Sequence, residues 1–458
     1  MGRMSRSELN AEIARLRKCI AELEIDIAEL DKDSCSSGSC ADETETETET
    51  ETEAETEAET EAELGLEEYI RYGRQMLVPE IGKPGQLALK KTKVLVVGAG
   101  GLGCPALTYL SGAGIGIIGI VDDDRVSLSN LPRQTLYSTT SIGMLKVDAA
   151  VEALRSRNEN VKYVCYPVAV RHDNVFDIVR QYDIVLDCTD TAMTRYLLGD
   201  ATRLLNKPLI SASALRTEAQ IVVLNVGADG PCYRCLFPKP PQHVDACSDA
   251  GIIGPVVAVA GTLQALEAIK LASGQYIPTG QQRTMTLFSG IHGPAWRSVR
   301  IRGWQKSCLV CGERATVSES DITSGKYDYS QLCGIPECYP DIDSSHSISV
   351  KELERRIKSP HVLLDVRDRT QYGICNLPGS INVPLSEMLG YDNLAALCRV
   401  VDQVNTEGVP VFVICRFGND SRTAVQLLRS RHGMGRAFDV TGGLDMWTEH
   451  VDSSFPRY

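Results

Sequence analysis

Gly98, Gly100 and Gly103 follow the apolar run 94–97 as G-x-G-x-x-G. Glycines at that spacing let backbone amides approach a phosphate, with the positive end of a helix behind them. Asp122 closes the next apolar run and is placed to accept from a ribose hydroxyl. Arg133 and Lys146 come after it. A dinucleotide dehydrogenase needs no such cations just past its second strand, whereas a triphosphate needs them against its non-bridging oxygens. The nucleotide is therefore expected to be ATP. Asp190 ends Asp187-Cys188-Thr189-Asp190 behind a further apolar run. Ligands of open α/β sheets gather at such strand ends, so Asp190 reads as a magnesium ligand, or as the N-cap of the helix that follows.

Cysteines supply the second kind of chemistry. Cys232 and Cys235 form C-x-x-C, and Cys308 and Cys311 repeat the spacing. Two such pairs make a tetrahedral thiolate site for zinc, closed to water and therefore structural. A redox pair is disfavoured, because the motifs come as two and neither opens a thioredoxin-like unit. Cys247 lies between the first pair and the apolar helical run 256–271, and from spacing alone it is a buried bystander. Cys333 and Cys338 either pair or are inert. Cys415 differs: it follows the buried-type strand 411–414 and precedes Arg416, Phe417, Gly418, Asn419, Asp420, Ser421, Arg422 and a helix. A thiol in such a loop sits among inward-pointing amides, a helix dipole and two arginines, which should favour a thiolate or a persulfide anion.

These groups need scaffolds. Uninterrupted apolar runs at 94–97, 115–121 and 184–186 suit buried parallel strands, and the glycine turn opens a helix. The expected fold is α/β: a Rossmann-like mixed sheet at 65–315, a linker at 316–345 and a smaller α/β domain at 346–458. Ahead of them, Leu9, Ile13, Leu16, Ile20, Leu23, Ile27 and Leu30 alternate spacings of four and three within residues 1–33. That seam makes either a short coiled coil or an amphipathic helix packed on its own domain. Residues 34–64 turn to Ser, Gly and Glu-Thr repeats with nothing apolar to bury, as in a disordered tether.

The net charge of −13 is misleading, because residues 42–63 hold one Asp and eleven Glu without a Lys or Arg and leave −1 for the rest. Acidity therefore says nothing about substrates, and no dense basic patch argues for direct nucleic-acid binding. No apolar run is expected to cross a bilayer, and the basic-then-apolar profile of a secretory signal is missing. The protein is expected to be cytosolic. There, its 16 cysteines suit metal ligands, nucleophiles or buried thiols better than disulfides.

Taken in order, RYGRQ at 71–75, GAGGLGCP at 98–105, DDDRVSLSNLPRQ at 122–134, Lys146 and DCTD at 187–190 resemble the adenylylating domain of the ThiF/MoeB and ubiquitin-activating superfamily. The resemblance implies activation of the C-terminal glycine of a ubiquitin-like protein as an acyl adenylate. It carries Gly101, Asp122, Ser129, Asn130, Leu131, Pro132, Arg133, Lys146, Asp190 and Thr191 to the ATP site, with magnesium on Asp190; Thr191 stands where many relatives have Asn. It makes Arg74 a contributor to the neighbouring subunit's site in a homodimer, supports zinc on the four cysteines, and turns Cys247 from bystander into an acyl acceptor or resolving thiol. Residues 346–458, with LPGSINVPL, the Cys415 loop and GGLDMW, resemble a single rhodanese domain, in which Asp365 and Arg367 support the loop.

Joined in one chain, the two resemblances imply a family of eukaryotic adenylyltransferase-sulfurtransferases. Such enzymes make a C-terminal thiocarboxylate on a carrier ending in Gly-Gly, with sulfur from a cysteine desulfurase or another sulfurtransferase. The products serve wobble-uridine thiolation of tRNA and molybdenum cofactor assembly. An activating enzyme for protein conjugation only, an oxidoreductase with an appended sulfur domain and a non-catalytic scaffold are the rival readings.

Overall fold

Successive residues of a strand face opposite sides of its sheet, and the first strand shows it: Val94 and Val96 enter one core, Leu95 and Val97 the other. A strand covered on both faces has no polar side, hence its unbroken apolar run. The computed structural model describes residues 63–227, 229–240, 251–275, 283–333, 344–389 and 408–458. The helical seam, almost all of the acidic tract, Cys247 and Cys338 lie outside the described residues.

The first sheet has eight strands in the order β3-β2-β1-β4-β5-β6-β7-β8. Parallel pairing joins β1 (Lys93–Val97), β2 (Ile117–Val121), β3 (Lys162–Tyr166), β4 (Ile184–Asp187) and β5 (Leu209–Leu215). Antiparallel pairing adds β6 (Glu218–Leu224), β7 (Thr284–Ser289) and β8 (Trp296–Arg300). Helices Gly103–Ala113, Lys146–Arg155 and Gly254–Ala272 contribute to one core; Val175–Val179 and Ala192–Leu204 contribute to the other. The chain leaves β1 toward β2 on one side and toward β4 on the other. This reversal opens a crevice at the carboxyl ends of β1 and β4.

Two expectations need correction. Helix Gly254–Ala272, at 19 residues and mean hydropathy 1.3, is long and apolar enough to cross a membrane by length and composition. Here Val256, Val257, Ala260, Gln264, Ala265 and Ala268 are buried on it, and it packs as a core helix of the sheet. The expected linker from 316 begins as folded protein: Val317, Ile322 and Tyr329 are buried in the second core, on or beside helices Glu319–Thr323 and Tyr329–Leu332. A buried acceptor draws this segment in, since Tyr329 donates to Asp200 Oδ2 at 2.8 Å.

The second sheet is parallel throughout, in the order β11-β10-β12-β13-β9. Its strands are β9 (Ser347–Ser349), β10 (Val362–Asp365), β11 (Ile381–Asn382), β12 (Val411–Ile414) and β13 (Ala437–Thr441). Val411 and Val413 face a core shared with helix Asp420–His432; Phe412 and Ile414 face helices Val350–Arg356 and Gly443–His450. Cys415 is the next residue after central strand β12.

Candidate active site

At the crevice, Gly98 takes φ +96°, and a Cβ there would lie 2.7 Å from the Cys188 carbonyl oxygen. A Cβ on Gly103 would lie 1.9 Å from the Gly98 carbonyl oxygen. Only glycine lets the turn after β1 pass this close to the end of β4 and to its own helix. The turn borders a cavity of about 830 Å³, in the size range of small-ligand sites. Gly101, Asp122, Asn130, Arg133, Lys146, Asp190 and Thr191 all line it.

Asp122 is fixed by backbone: Oδ2 accepts from the Ala99 N–H at 2.8 Å and Oδ1 from the Asp124 N–H at 2.9 Å. Each oxygen keeps a lone pair for a ligand hydroxyl. Burial raises its pKa above the ordinary carboxylate range, against Lys146, whose Nζ stands 3.8 Å away. Lys146 is itself buried and bonds Asp124 Oδ2 at 2.8 Å. Asp122 therefore takes up its proton at a higher pH than a solvated carboxyl, and protonation weakens its hold on Lys146 and on a donor hydroxyl. ATP affinity is expected to fall as the pH drops toward that raised pKa, and Asp122→Asn should flatten this acidic limb. Calorimetric titration measures it; an unchanged limb in the variant refutes the role.

Asn130 Oδ1 accepts from the Ser127 N–H at 3.0 Å, and Arg133 Nη1 donates to the Ser129 carbonyl at 2.8 Å. Ser129, Leu131 and Pro132 do not line the cavity; they hold the turn, with Leu131 packed on the core. Thr191, rather than Asp190, caps helix Ala192–Leu204, since its Oγ1 accepts from the Thr194 N–H at 3.2 Å. Asp190 is exposed to the cavity with no hydrogen bond or ion pair among the described residues, which suits a cation ligand. Arg74, exposed in the last turn of helix Leu66–Met76, does not line this chain's own cavity.

Gln134, the last residue of the 122–134 motif, lines the cavity too, as do Arg195 and Tyr233, which sequence reasoning passed over. Arg195 ties the loop after β4 to the middle of β5, donating to the Thr189 carbonyl and to the Ala212 carbonyl at 2.7 Å. Tyr233 was legible in principle, because it lies between the cysteines of the first C-x-x-C. Cys188 also borders the cavity; it is buried, donates to Gln264 Oε1 at 3.3 Å and is pushed well up by burial.

The four knuckle cysteines converge. Cys232 Sγ stands 3.7, 3.5 and 3.4 Å from the sulfurs of Cys235, Cys308 and Cys311, and Cys235 is 3.4 Å from Cys311. A tetrahedron with metal–sulfur bonds of about 2.3 Å puts its sulfurs about 3.8 Å apart. The set fits one metal ion far better than two disulfides. The Gln305 N–H reaches Cys235 Sγ at 3.4 Å, and Trp304 Nε1 donates to the Cys311 carbonyl at 2.6 Å, bracing the ligand loop.

Cys415 is buried in the turn between β12 and helix Asp420–His432. The Gly418 N–H reaches its sulfur at 3.1 Å, and Ser421 Oγ lies 3.4 Å away. Gly443, at φ +58°, brings the GGLDMW segment against the loop, where the Leu444 and Asp445 amides donate to the Cys415 and Arg416 carbonyls at 3.0 Å. The two arginines do not serve the sulfur as expected. Arg416 stacks on Phe417 and Tyr458, and Arg422 turns toward buried Asp439 at 3.7 Å. Burial pushes the thiol up, partly offset by Ser421 and Gly418, while Asp420 pushes the same way as burial. The Gly418 N–H and the Ser421 hydroxyl are the groups that the loop turns toward the sulfur. Asp365 and Arg367 pair at 2.6 Å at the carboxyl end of β10, where Asp365 stands in register with Ile414 of β12.

Residues 72–310 match the ThiF family. The chain belongs to that family. Residues 349–450 match the rhodanese-like domain. Adenylyltransferase and sulfurtransferase uba4 of Ogataea parapolymorpha is 45% identical over 401 residues, 86% of this chain and all of that one. The UBA4 of Scheffersomyces stipitis is 43% identical, with 86% of this chain and 90% of that one covered. That of Pyricularia oryzae is 41% identical over 98% of both chains. Among solved structures, E. coli MccB with ATP is similar over 53% of this chain and 73% of its own, at 23% identity and a TM-score of 0.46. This ThiF-family chain is an adenylyltransferase and sulfurtransferase, with an ATP-using first domain and a rhodanese-like second.

Proposed function

We propose that this chain adenylylates the terminal glycine carboxylate of a ubiquitin-like carrier ending in Gly-Gly and converts it to a thiocarboxylate with sulfur carried on Cys415. What supports the reading is one chain holding both a cavity lined by Asp122, Arg133, Lys146 and Asp190 and a cysteine loop of rhodanese type. In the first step two anions meet, the carrier carboxylate and the α-phosphate. Arg133 and Lys146 offset their repulsion in a preorganised site while pyrophosphate leaves. Asp190 is the residue that would hold magnesium, whose charge lowers the same repulsion. Zinc on Cys232, Cys235, Cys308 and Cys311 would be structural, since four thiolates leave no open position.

Adenylylation turns a poor leaving group into AMP. The outer sulfur of a Cys415 persulfide then attacks the acyl carbon, AMP departs, and an acyl disulfide forms. A second thiolate attacking Cys415 Sγ releases the thiocarboxylate and leaves a disulfide that a cellular dithiol reduces. Cys247 is the thiol assigned to that step or to prior capture of the acyl group. A cysteine desulfurase or another sulfurtransferase supplies the persulfide in the cytosol. The active form is a homodimer in which Arg74 reaches the neighbouring site, and the carrier serves tRNA thiolation, molybdenum cofactor assembly, or both.

The test uses ATP, a persulfide source and carriers ending in Gly-Gly, with mass spectrometry of the carrier. Cys415→Ala is expected to abolish the thiocarboxylate while pyrophosphate exchange continues at the unmodified rate. Thiocarboxylate formed by Cys415→Ala as fast as by the native protein would falsify the sulfur-carrier role.

A further inference from the structure

We propose that Arg195 is a positioning residue for cation binding in adenylylation: together with Asp187 it clamps Thr189 from two sides and so presents the bare carboxylate of Asp190 to the cavity. This rests on the reading of Asp190 as a magnesium ligand. Asp187 ends β4 with its side chain fully buried, and its Oδ1 accepts from the Thr189 N–H at 3.1 Å and from the Thr189 hydroxyl at 2.6 Å. Its Oδ2 accepts from Ser211 Oγ of β5 at 2.7 Å. Both donors of Thr189 are thereby committed to one carboxylate that the sheet itself holds.

Arg195 closes the other side. Buried one turn into helix Ala192–Leu204, it donates through Nη2 to the Thr189 carbonyl and through Nη1 to the Ala212 carbonyl of β5 at 2.7 Å. Nη1 also stands 3.7 Å from Asp187 Oδ2. The Thr189 carbonyl belongs to the planar peptide that leads into Asp190, so a guanidinium tied to β5 fixes the plane from which Asp190 departs. The N–H, hydroxyl and carbonyl of Thr189 are thus all bonded, and Thr191 is held as the cap of the helix. Between them the Asp190 carboxylate carries no hydrogen bond or ion pair among the described residues and lines the cavity. An acceptor left bare on a braced turn keeps its direction before any cation arrives, which is the outer support that a metal-binding carboxylate needs.

Calorimetric titration of the full-length protein with ATP, once in excess magnesium and once in EDTA, isolates the metal's share of the affinity as the ratio of the two. Arg195→Met is expected to shrink this magnesium advantage roughly 10- to 100-fold, the usual cost of removing outer support from a metal ligand, with the affinity in EDTA little changed. Asp190→Ala should lose at least as much, and the double variant should go no further than Asp190→Ala. Thr189→Val keeps the shape and deletes only the hydroxyl bond to Asp187; it should act in the same direction by less, and it carries the test if Arg195→Met does not fold. Arg195→Lys keeps the charge without the planar fork and should recover little of the advantage. Full recovery by Arg195→Lys, or equal losses of affinity in both media, would mean that the guanidinium acts as a plain charge or through the fold at large, and either overturns the positioning role. If Asp190→Ala loses the advantage while Arg195→Met and Thr189→Val keep it, the clamp alone is wrong. If the native protein binds ATP equally well in magnesium and in EDTA, or Asp190→Ala keeps the advantage, the magnesium reading of Asp190 fails and the clamp with it.

Discussion

Lys146→Ala is expected to lower pyrophosphate exchange by roughly 10²- to 10³-fold, the usual cost of removing one preorganised charge from a site where negative charge develops. The ammonium is well placed for this. It is buried at the base of the cavity, 2.8 Å from Asp124 and 3.8 Å from Asp122, so its position is set before ATP arrives and little reorganisation accompanies the reaction. Its removal also leaves two close carboxylates without their counter-ion, which should weaken ATP binding. The drop should therefore divide between KM for ATP and kcat. Lys146→Arg keeps the charge on a planar, wider head, and partial recovery is expected. Exchange in Lys146→Ala within a few-fold of the native rate would show that the cation is structural.

The second large effect is on stability. Asp200→Ala is expected to destabilise the first domain by about 3–5 kcal/mol, because it strands a buried arginine. Arg234 forks onto Asp200 at 2.8 and 2.7 Å, with the two side chains only 2% and 1% exposed. Burial raises the Asp200 pKa even with Arg234 and the Tyr329 hydroxyl against it, a sign of how dry the place is. The guanidinium also lies over the rings of Tyr196 and Tyr327 at 5.3 and 5.0 Å. Arg234 sits between Cys232 and Cys235, and its neighbour Tyr233 lines the cavity, so loosening it should also disturb the four-cysteine cluster. Scanning calorimetry should place the first transition about 10 °C lower, and Tyr329→Phe, losing one hydrogen bond, should cost about 1 kcal/mol. A melting temperature in Asp200→Ala equal to the native value would mean that water reaches this pair.

Local signals were legible from one sequence wherever the chemistry and the fold impose the same residue. The glycines after β1 must be glycine for steric reasons, so their spacing announced the turn and the phosphate-type site together. Val94–Val97 and Val411–Ile414 read as buried strands because both faces of each are covered. The repeated C-x-x-C spacing read as one metal site because tetrahedral thiolate coordination constrains ligand order along the chain.

What the sequence by itself determined, then, was strand and turn identity, the residues gathered at the crevice between β1 and β4, and the two-domain plan. Tertiary structure alone decided where the long polar side chains point. Arg416 is claimed by Tyr458 and Arg422 by Asp439, partners far along the chain, and no spacing rule within the Cys415 loop contains them. Likewise, residues 317–333 looked like linker until a buried carboxylate on another helix, Asp200, met Tyr329. The reason is physical: backbone conformation answers to near neighbours and sterics, whereas the direction of a charged side chain answers to whichever counter-charge or ring the finished fold brings within a few ångströms.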